Sequence, residues 1–291
     1  MVRTSPIGRL GRLFVWTAAV AVLASCASVA PESAESVLRR ADSAMGGKDL
    51  KSISFAGSGT GATFGQAYEP GGAWPKITYS SFTRLADYDQ GAFREDAARS
   101  RAEPAGGGAV PLMGTGEQRT TGLMRGGYAW NLVGPAPVAS PRDLDARVHD
   151  LWTTPHGVIK AALANQPTLT PRTQDGRTLW AVSFVMPGRL RAMALINADG
   201  LVEQIESVLP NPVMGDLGSV ITFSDYQDVG GVKFPKRIRK SLGGFPVLDL
   251  AVSEVKPNAP VAVEVPPLVS AATEKVTADK VAEGVWFLAG G

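Results

Sequence analysis

Leu179-Trp180-Ala181-Val182-Ser183-Phe184-Val185-Met186 has the two-residue period of a β-strand and sets Trp180, Val182 and Phe184 on one side. Five further strands follow it, Arg191–Asn197, Leu201–Leu209, Val220–Tyr226, Lys233–Ser241 and Val247–Val255. Short turns separate several of them. Asp199-Gly200 favours a hairpin within Asn197-Ala198-Asp199-Gly200, and Asp228-Val229-Gly230-Gly231 marks another. Neighbouring strands on short turns predict an antiparallel meander with one face buried, and Ile205, Phe223, Phe234 and Ile238 are placed to share the Trp180 side.

Upstream, the same period recurs at Ile53 and Phe55, Ile77–Tyr79, Gln118–Leu123 and Tyr128–Asn131, with glycine-rich breaks between them. Helical spacing appears in three places. Val37, Leu38, Ala41, Ala44 and Met45 predict a helix over Ser33–Met45 that stops at Gly46-Gly47. Ser140-Pro141 with Asp143 is a helix start, and Leu144, Val148, Leu151 and Trp152 then repeat on one face. Pro155 interrupts, and Gly157–Leu163 resumes. The glycine-rich stretch Ala102–Gly116 reads as an exposed loop. The expected fold class is α+β: a curved antiparallel sheet, a half-barrel, covered by two or three helices over residues 33–257. Residues 258–275 read as a proline-rich linker, and 276–291 as an apolar strand pattern that opens a second domain, present only as a stub.

The chain begins with Arg3, Arg9 and Arg12 ahead of an apolar run from Leu13 to Leu23, shorter than the roughly 20 residues of a membrane-spanning helix. It has the form of an export signal over residues 1–25. Leu23-Ala24-Ser25-Cys26 ends that signal, and Cys26 is the only cysteine in the chain. The motif resembles a bacterial lipobox, which implies lipidation of Cys26, a tether over 26–32 and a membrane partner. Ala27 after the cysteine resembles the signal for the outer membrane, facing the periplasm. With a single cysteine the chain has no disulfide and no multi-cysteine zinc site. Removing the signal takes the formal net charge from +2 to −1, which argues against nucleic acid as a partner.

The residues of chemistry are sparse. His149 and His156 are seven positions apart, about two helical turns or roughly 10 Å, too far to chelate one ion unaided. His149 reads as a helix-surface residue and His156 as a turn residue bonded to backbone. Gly57-Ser58-Gly59-Thr60-Gly61 is followed by strand-like residues rather than a helix, so it reads as a bulge or hairpin corner and not as a phosphate cradle. No Gly-x-Ser-x-Gly elbow occurs, no serine has an evident histidine partner, and the pairs Asp87/Asp89, Asp143/Asp145 and Asp225/Asp228 read as solvated charge. No catalytic and no metal-binding residue is assigned. A groove in the sheet, with Trp74, Trp130, Trp152, Trp180, Phe184 and Phe223 as candidate lining, is the remaining lead, beside the reading that the same rings simply fill the core.

Phe223-Ser224-Asp225-Tyr226, Gly230-Gly231-Val232-Lys233-Phe234-Pro235 and Val252-Ser253-Glu254-Val255-Lys256-Pro257-Asn258, within residues 33–257, make the body similar to the lipoprotein-carrier group (LolA/LolB-like). That resemblance implies an apolar cavity accepting acyl chains. Trp152-Thr153-Thr154-Pro155-His156-Gly157, Phe223–Pro235 and Glu283-Gly284-Val285-Trp286-Phe287-Leu288 resemble the leader region of exported metallo-β-lactamase-fold proteins. There the leader precedes a hydrolase whose His-x-His-x-Asp-His motif binds zinc, and no such motif stands in this chain. Zinc is therefore implied only for that absent domain, and no cofactor for this chain. Two expectations follow: a lipid-anchored accessory domain of a metallohydrolase, or a complete lipoprotein that binds an apolar ligand or acyl chain.

Overall fold

The computed structural model describes residues 32–65, 67, 69–102, 116–211, 215–273 and 276–290. The signal, Cys26 and the glycine-rich stretch 103–115 lie outside the described residues.

Thirteen strands form one antiparallel sheet. In chain order they are β1 (Ser52–Ala62), β2 (Lys76–Asp87), β3 (Ala92–Arg101), β4 (Gln118–Arg125), β5 (Tyr128–Val133), β6 (Ala136–Ala139), β7 (Thr168–Gln174), β8 (Arg177–Met186), β9 (Leu190–Ile196), β10 (Val202–Asn211), β11 (Gly215–Val229), β12 (Val232–Leu242) and β13 (Phe245–Pro257). The spatial order is β6-β5-β4-β3-β2-β1-β13-β12-β11-β10-β9-β8-β7. Two meanders therefore meet where β1 pairs with β13, and β6 and β7 are the two edges. Consecutive strands β6 and β7 stand at opposite edges, so their connection must cross the whole sheet. It does so over one face as two helices, α2 (Leu144–Trp152) and α3 (Pro155–Ala164), beside the N-terminal helix α1 (Ala34–Ala44).

The helices form near where the sequence predicts, but Ser140 does not cap α2: Pro141–Asp143 is a 3-10 turn and Ser140 makes no cap bond, while Pro155 begins α3 rather than interrupting it. Ser33 caps α1 in a reciprocal box with Ser36, and Gly46 at φ +68° ends it. Only glycine fits there, because a Cβ would stand 1.9 Å from the carbonyl oxygen of Gly231 in the β11–β12 turn. Thr154 caps α3 by accepting from the Gly157 amide, with Pro155 in the first turn. The apolar faces of all three helices share one core with Trp180, Val182, Phe184, Ile205, Phe223, Phe234 and Ile238, the side anticipated for those residues.

Strand β1 is irregular against both of its neighbours. Its register slips at Ala56/Gly57 against β13 and at Gly57/Gly59 against β2, so the glycine run is a bulge, as the sequence suggests. A Cβ at Gly57 would stand 2.1 Å from the Ala251 carbonyl oxygen, and one at Gly59 2.1 Å from that of Asp249. The side-chain-free backbone lets β13 cross this closely.

The other face of the sheet is partly covered too. Val263 and Val269, from the proline-rich stretch read as a linker, are buried against Ala92, Leu123 and Trp130. Arg125 donates to the Val263 carbonyl at 2.7 Å, and Ser52 to that of Ala259 at 2.7 Å. One helical turn, α4 (Pro267–Ser270), closes this strap. A separate two-stranded hairpin, β14 (Thr277–Ala282) and β15 (Val285–Ala289), follows. Val281, Val285, Trp286, Phe287 and Leu288 are exposed on it. Among the described residues no helix is long and apolar enough to cross a membrane.

Candidate functional site

Helix α2 lies in the concavity on a cluster of buried charge. The carboxylate of Asp150 accepts from Lys240 Nζ at 2.6 Å and from Arg84 Nη2 at 3.0 Å, and stands 3.2 Å from His149 Nδ1. Arg84 also donates to Glu95 on the adjacent strand. Arg84 is on β2 and Lys240 on β12, with β1 and β13 between them. In a flat sheet those strands would be about 14 Å apart, three spacings of about 4.8 Å. Both reach one carboxylate because the sheet wraps around the helix. Burial alone would raise the Asp150 pKa, but Lys240 and Arg84 outweigh it and hold the group well below the usual carboxylate range.

His149 belongs to this cluster, which corrects the surface position expected of it. It is buried, its Nε2 stands 2.8 Å from Ser207 Oγ, and burial lowers its pKa so that the ring stays neutral. The α2 face that carries it is turned into the sheet and not toward water. Ser207 is thus the histidine partner that sequence reading missed, 58 residues away in the chain. Ser207, His149 and Asp150 are connected like a hydrolase triad, but the surroundings do not serve acyl transfer. Ser207 lies in mid-strand, 8 % exposed and paired with Ala192 and Ser219 on its two neighbours, so no free backbone amides gather at its hydroxyl as an oxyanion hole. Asp150 is neutralised by two cations. The trio braces α2 against β10.

His156 is bonded to backbone as expected, Nε2 to the Met45 carbonyl at 3.1 Å, but it stands in the first turn of α3 and is fully buried. Asp87 and Asp143 also have structural work rather than solvated faces. Asp87 accepts from the amides of Asp89 and Gln90, and Asp143 from Ser140 and Arg147. Asp225 stands in β11 at φ +57°, between the Ser224/Arg237 and Tyr226/Pro235 pairs.

Beside the charge cluster the concave face is not filled. A cleft of about 630 Å³ lies between β3–β5 and α2, with Phe93, Glu95, Arg99, Thr120, Asn131 and Arg147 in its wall. Arg147 pins the helix over it, donating to the carbonyls of Leu123 and Trp130 at 2.8 and 2.7 Å, to Asn131 at 2.6 Å and to Asp143 at 2.7 Å. Gly122 makes room for that guanidinium, since a Cβ would lie 3.0 Å from Arg147 Nη2.

The six aromatic residues proposed as groove lining are not brought together. Phe184 and Phe223 are buried in the main core, and Trp152 and Trp180 are packed against it. Trp130 points to the opposite face, under the Val263 strap. Trp74 sits in a separate trio, with its ring centroid 4.7 Å from those of both Phe64 and Phe245. None of the six lines this cleft, while Phe184 stands in the wall of an opening of about 590 Å³ over β8–β10 and Phe223 in one of about 580 Å³ over β9–β11. Among the described residues no three His, Cys, Asp or Glu side chains converge as metal ligands.

No protein-family model matches the chain, and no curated protein matches it. Among solved structures it is similar to the LolA superfamily protein of Nitrosomonas europaea at 16 % identity and a TM-score of 0.47, over 79 % of this chain and 96 % of that one. It is also similar to an outer membrane lipoprotein-sorting protein domain of Vibrio parahaemolyticus, at 10 % identity and a TM-score of 0.47, over 79 % and 95 %.

Proposed function

We propose that this chain is a non-catalytic ligand-binding domain of the bacterial cell envelope, tethered through lipidated Cys26 and facing the periplasm from the outer membrane. It takes an apolar or amphiphilic small molecule into the cleft between β3–β5 and α2. The observation that carries the reading is the cleft itself. About 630 Å³ stays open over β3–β5 beneath α2, within the range of small-molecule sites, and a second opening of about 590 Å³ lies over β8–β10. The export signal ending at Cys26 supports the address.

Ala146 lines the cleft from an exposed position on α2, so Ala146→Trp should fill the site without removing a charge. A fluorescent fatty-acid probe is expected to bind the full chain saturably, and Ala146→Trp to weaken it at least about tenfold while the melting temperature is kept. Equal binding by both proteins, or no saturable binding by either, removes this reading.

The hairpin β14–β15 favours a second reading. Trp286, Phe287 and Leu288 are 58–65 % exposed, and an isolated hairpin is marginal in water, so a covering surface is expected. In this reading the sheet domain is the accessory part of a metallo-β-lactamase-fold hydrolase whose zinc domain packs on the hairpin. Coding sequence for a His-x-His-x-Asp-His motif, in frame downstream of codon 291, supports it. A downstream frame without that motif removes it.

A further inference from the structure

We propose that the cleft selects its ligand by an anionic group, a carboxylate or a phosphate, held by Arg99 with Thr120 beside it; this rests on the cleft being the ligand site.

The argument starts from which charges in and beneath the cleft are already engaged. Glu95 is taken by Arg84, Asp150 by Arg84 and Lys240, and Asp143 by Arg147. Arg99 is the cation left over, with no ion pair among the described residues. It stands on β3, opposite Tyr79 of β2 and Gln118 of β4, on the same side of the strand as Phe93, Glu95 and Ala97. Its guanidinium bonds the Tyr79 hydroxyl. Its Nε is shut off from solvent and has no acceptor. A guanidinium N–H in that state carries an unreturned desolvation cost, which an anion entering the cleft would offset.

The geometry suits an oxyanion more than a carbonyl. A guanidinium offers parallel N–H groups that match two oxygens of one carboxylate or phosphate, and charge-assisted bonds of this kind are about twice as strong as neutral ones. Thr120 lines the same wall, two residues along β4 from Gln118 at the Arg99 level, and supplies a hydroxyl to a third oxygen. Phe93 at the inner end gives an apolar contact for what the anion carries. The mature chain has a formal net charge of −1, so the preference is local to this wall and not a property of the whole surface.

The test is equilibrium binding of octanoate, octyl phosphate, octanol and inorganic phosphate to the full chain and to Arg99→Gln and Arg99→Lys. The two octyl anions are expected to bind at least about tenfold tighter than octanol, and Arg99→Gln to erase that preference while leaving octanol binding in place. Arg99→Lys should restore part of it. Inorganic phosphate binding as tightly as octyl phosphate, and lost in Arg99→Gln, supports the anion site and assigns it to a free anion. Weaker binding of inorganic phosphate assigns it to the head of an amphiphile. Octanol binding as tightly as the anions, unchanged in Arg99→Gln, overturns the proposal and leaves the cleft reading intact. If none of the four binds, both fall. Melting temperatures of the variants separate a lost contact from a lost fold.

Discussion

Asp150→Ala is expected to destabilise the fold by about 3–5 kcal/mol, because it strands Lys240 beneath α2 and leaves Arg84 with Glu95 alone. The side chain of Asp150 is only 19 % exposed, and those of Arg84 and Lys240 are 13 % and 14 % exposed, so water screens this cluster far less than it would a surface pair. The carboxylate also joins parts of the sheet that are not neighbours, β2 through Arg84 and β12 through Lys240. Its loss removes both struts at once and leaves Lys240 without a counter-charge. Replacing partners together should reverse much of the damage, since a buried ion cluster exchanged for apolar groups of similar volume is often neutral. The expected series in urea denaturation is therefore a large loss for Asp150→Ala and a partial recovery in Asp150→Leu combined with Lys240→Met. A loss below about 1 kcal/mol for Asp150→Ala would show that the cluster behaves as a solvated surface pair.

Much of this architecture was legible in the chain, and the illegible parts have physical reasons. The strands of the second meander carry an apolar alternation that only a half-buried sheet explains, and the first helix carries its own stop at Gly46-Gly47. By contrast, Ala92–Arg101 holds Arg94-Glu95-Asp96 at its centre and shows no apolar alternation. It is a strand whose acids find partners across the sheet: Glu95 takes Arg84 on one face, and on the other Asp96 takes Thr121 as well as Arg94 of its own strand. Those partners come from β2 and β4, so pairing had to be known before the strand could be read. The polar β7 is an edge strand, where a buried face is not required.

The candidate site was less legible for a related reason. Period and propensity say which residues share a face, not which face the helices cover. Trp130 alternates as cleanly as Trp180, yet the two rings lie on opposite sides of the sheet. The cleft is built from the β6–β7 connection crossing the sheet, a consequence of strand order that no local motif encodes. One signal was available: His149 and Asp150 stand side by side on a helix whose apolar stripe includes Val148 and Leu151, so charged and apolar residues together surround α2. A helix polar and apolar all round is one that has a buried charge to satisfy.

Acid should loosen the fold well before the carboxylates titrate, and His156 is the group expected to dominate. Burial first, with Lys160 nearby, pulls its pKa down to about 4 against the bond to the Met45 carbonyl. Its ring lies face to face with Phe234 at 6.2 Å, and its Nδ1 is buried without a partner, so a proton there has no acceptor waiting. In the unfolded chain the same imidazole takes up its proton near 6.5. Between those values the unfolded state binds more protons than the folded one, so stability rises with pH. The contribution is complete above about 6.5 and is lost as the pH falls to about 4, after which it stays constant. At 1.36 kcal/mol per pH unit the swing is about 3 kcal/mol. His149, also held neutral by burial, acts in the same direction. Asp150 joins only at lower pH, because its depressed pKa keeps it charged through this window. Unfolding free energies measured between pH 7.5 and 4 should therefore fall about 3 kcal/mol further in the wild-type chain than in His156→Gln, whose amide keeps a donor for Met45 but has no proton to gain. Parallel losses in the two proteins would mean that His156 accepts its proton while folded, and that Phe234 and the α1–α3 contact tolerate a cation between them.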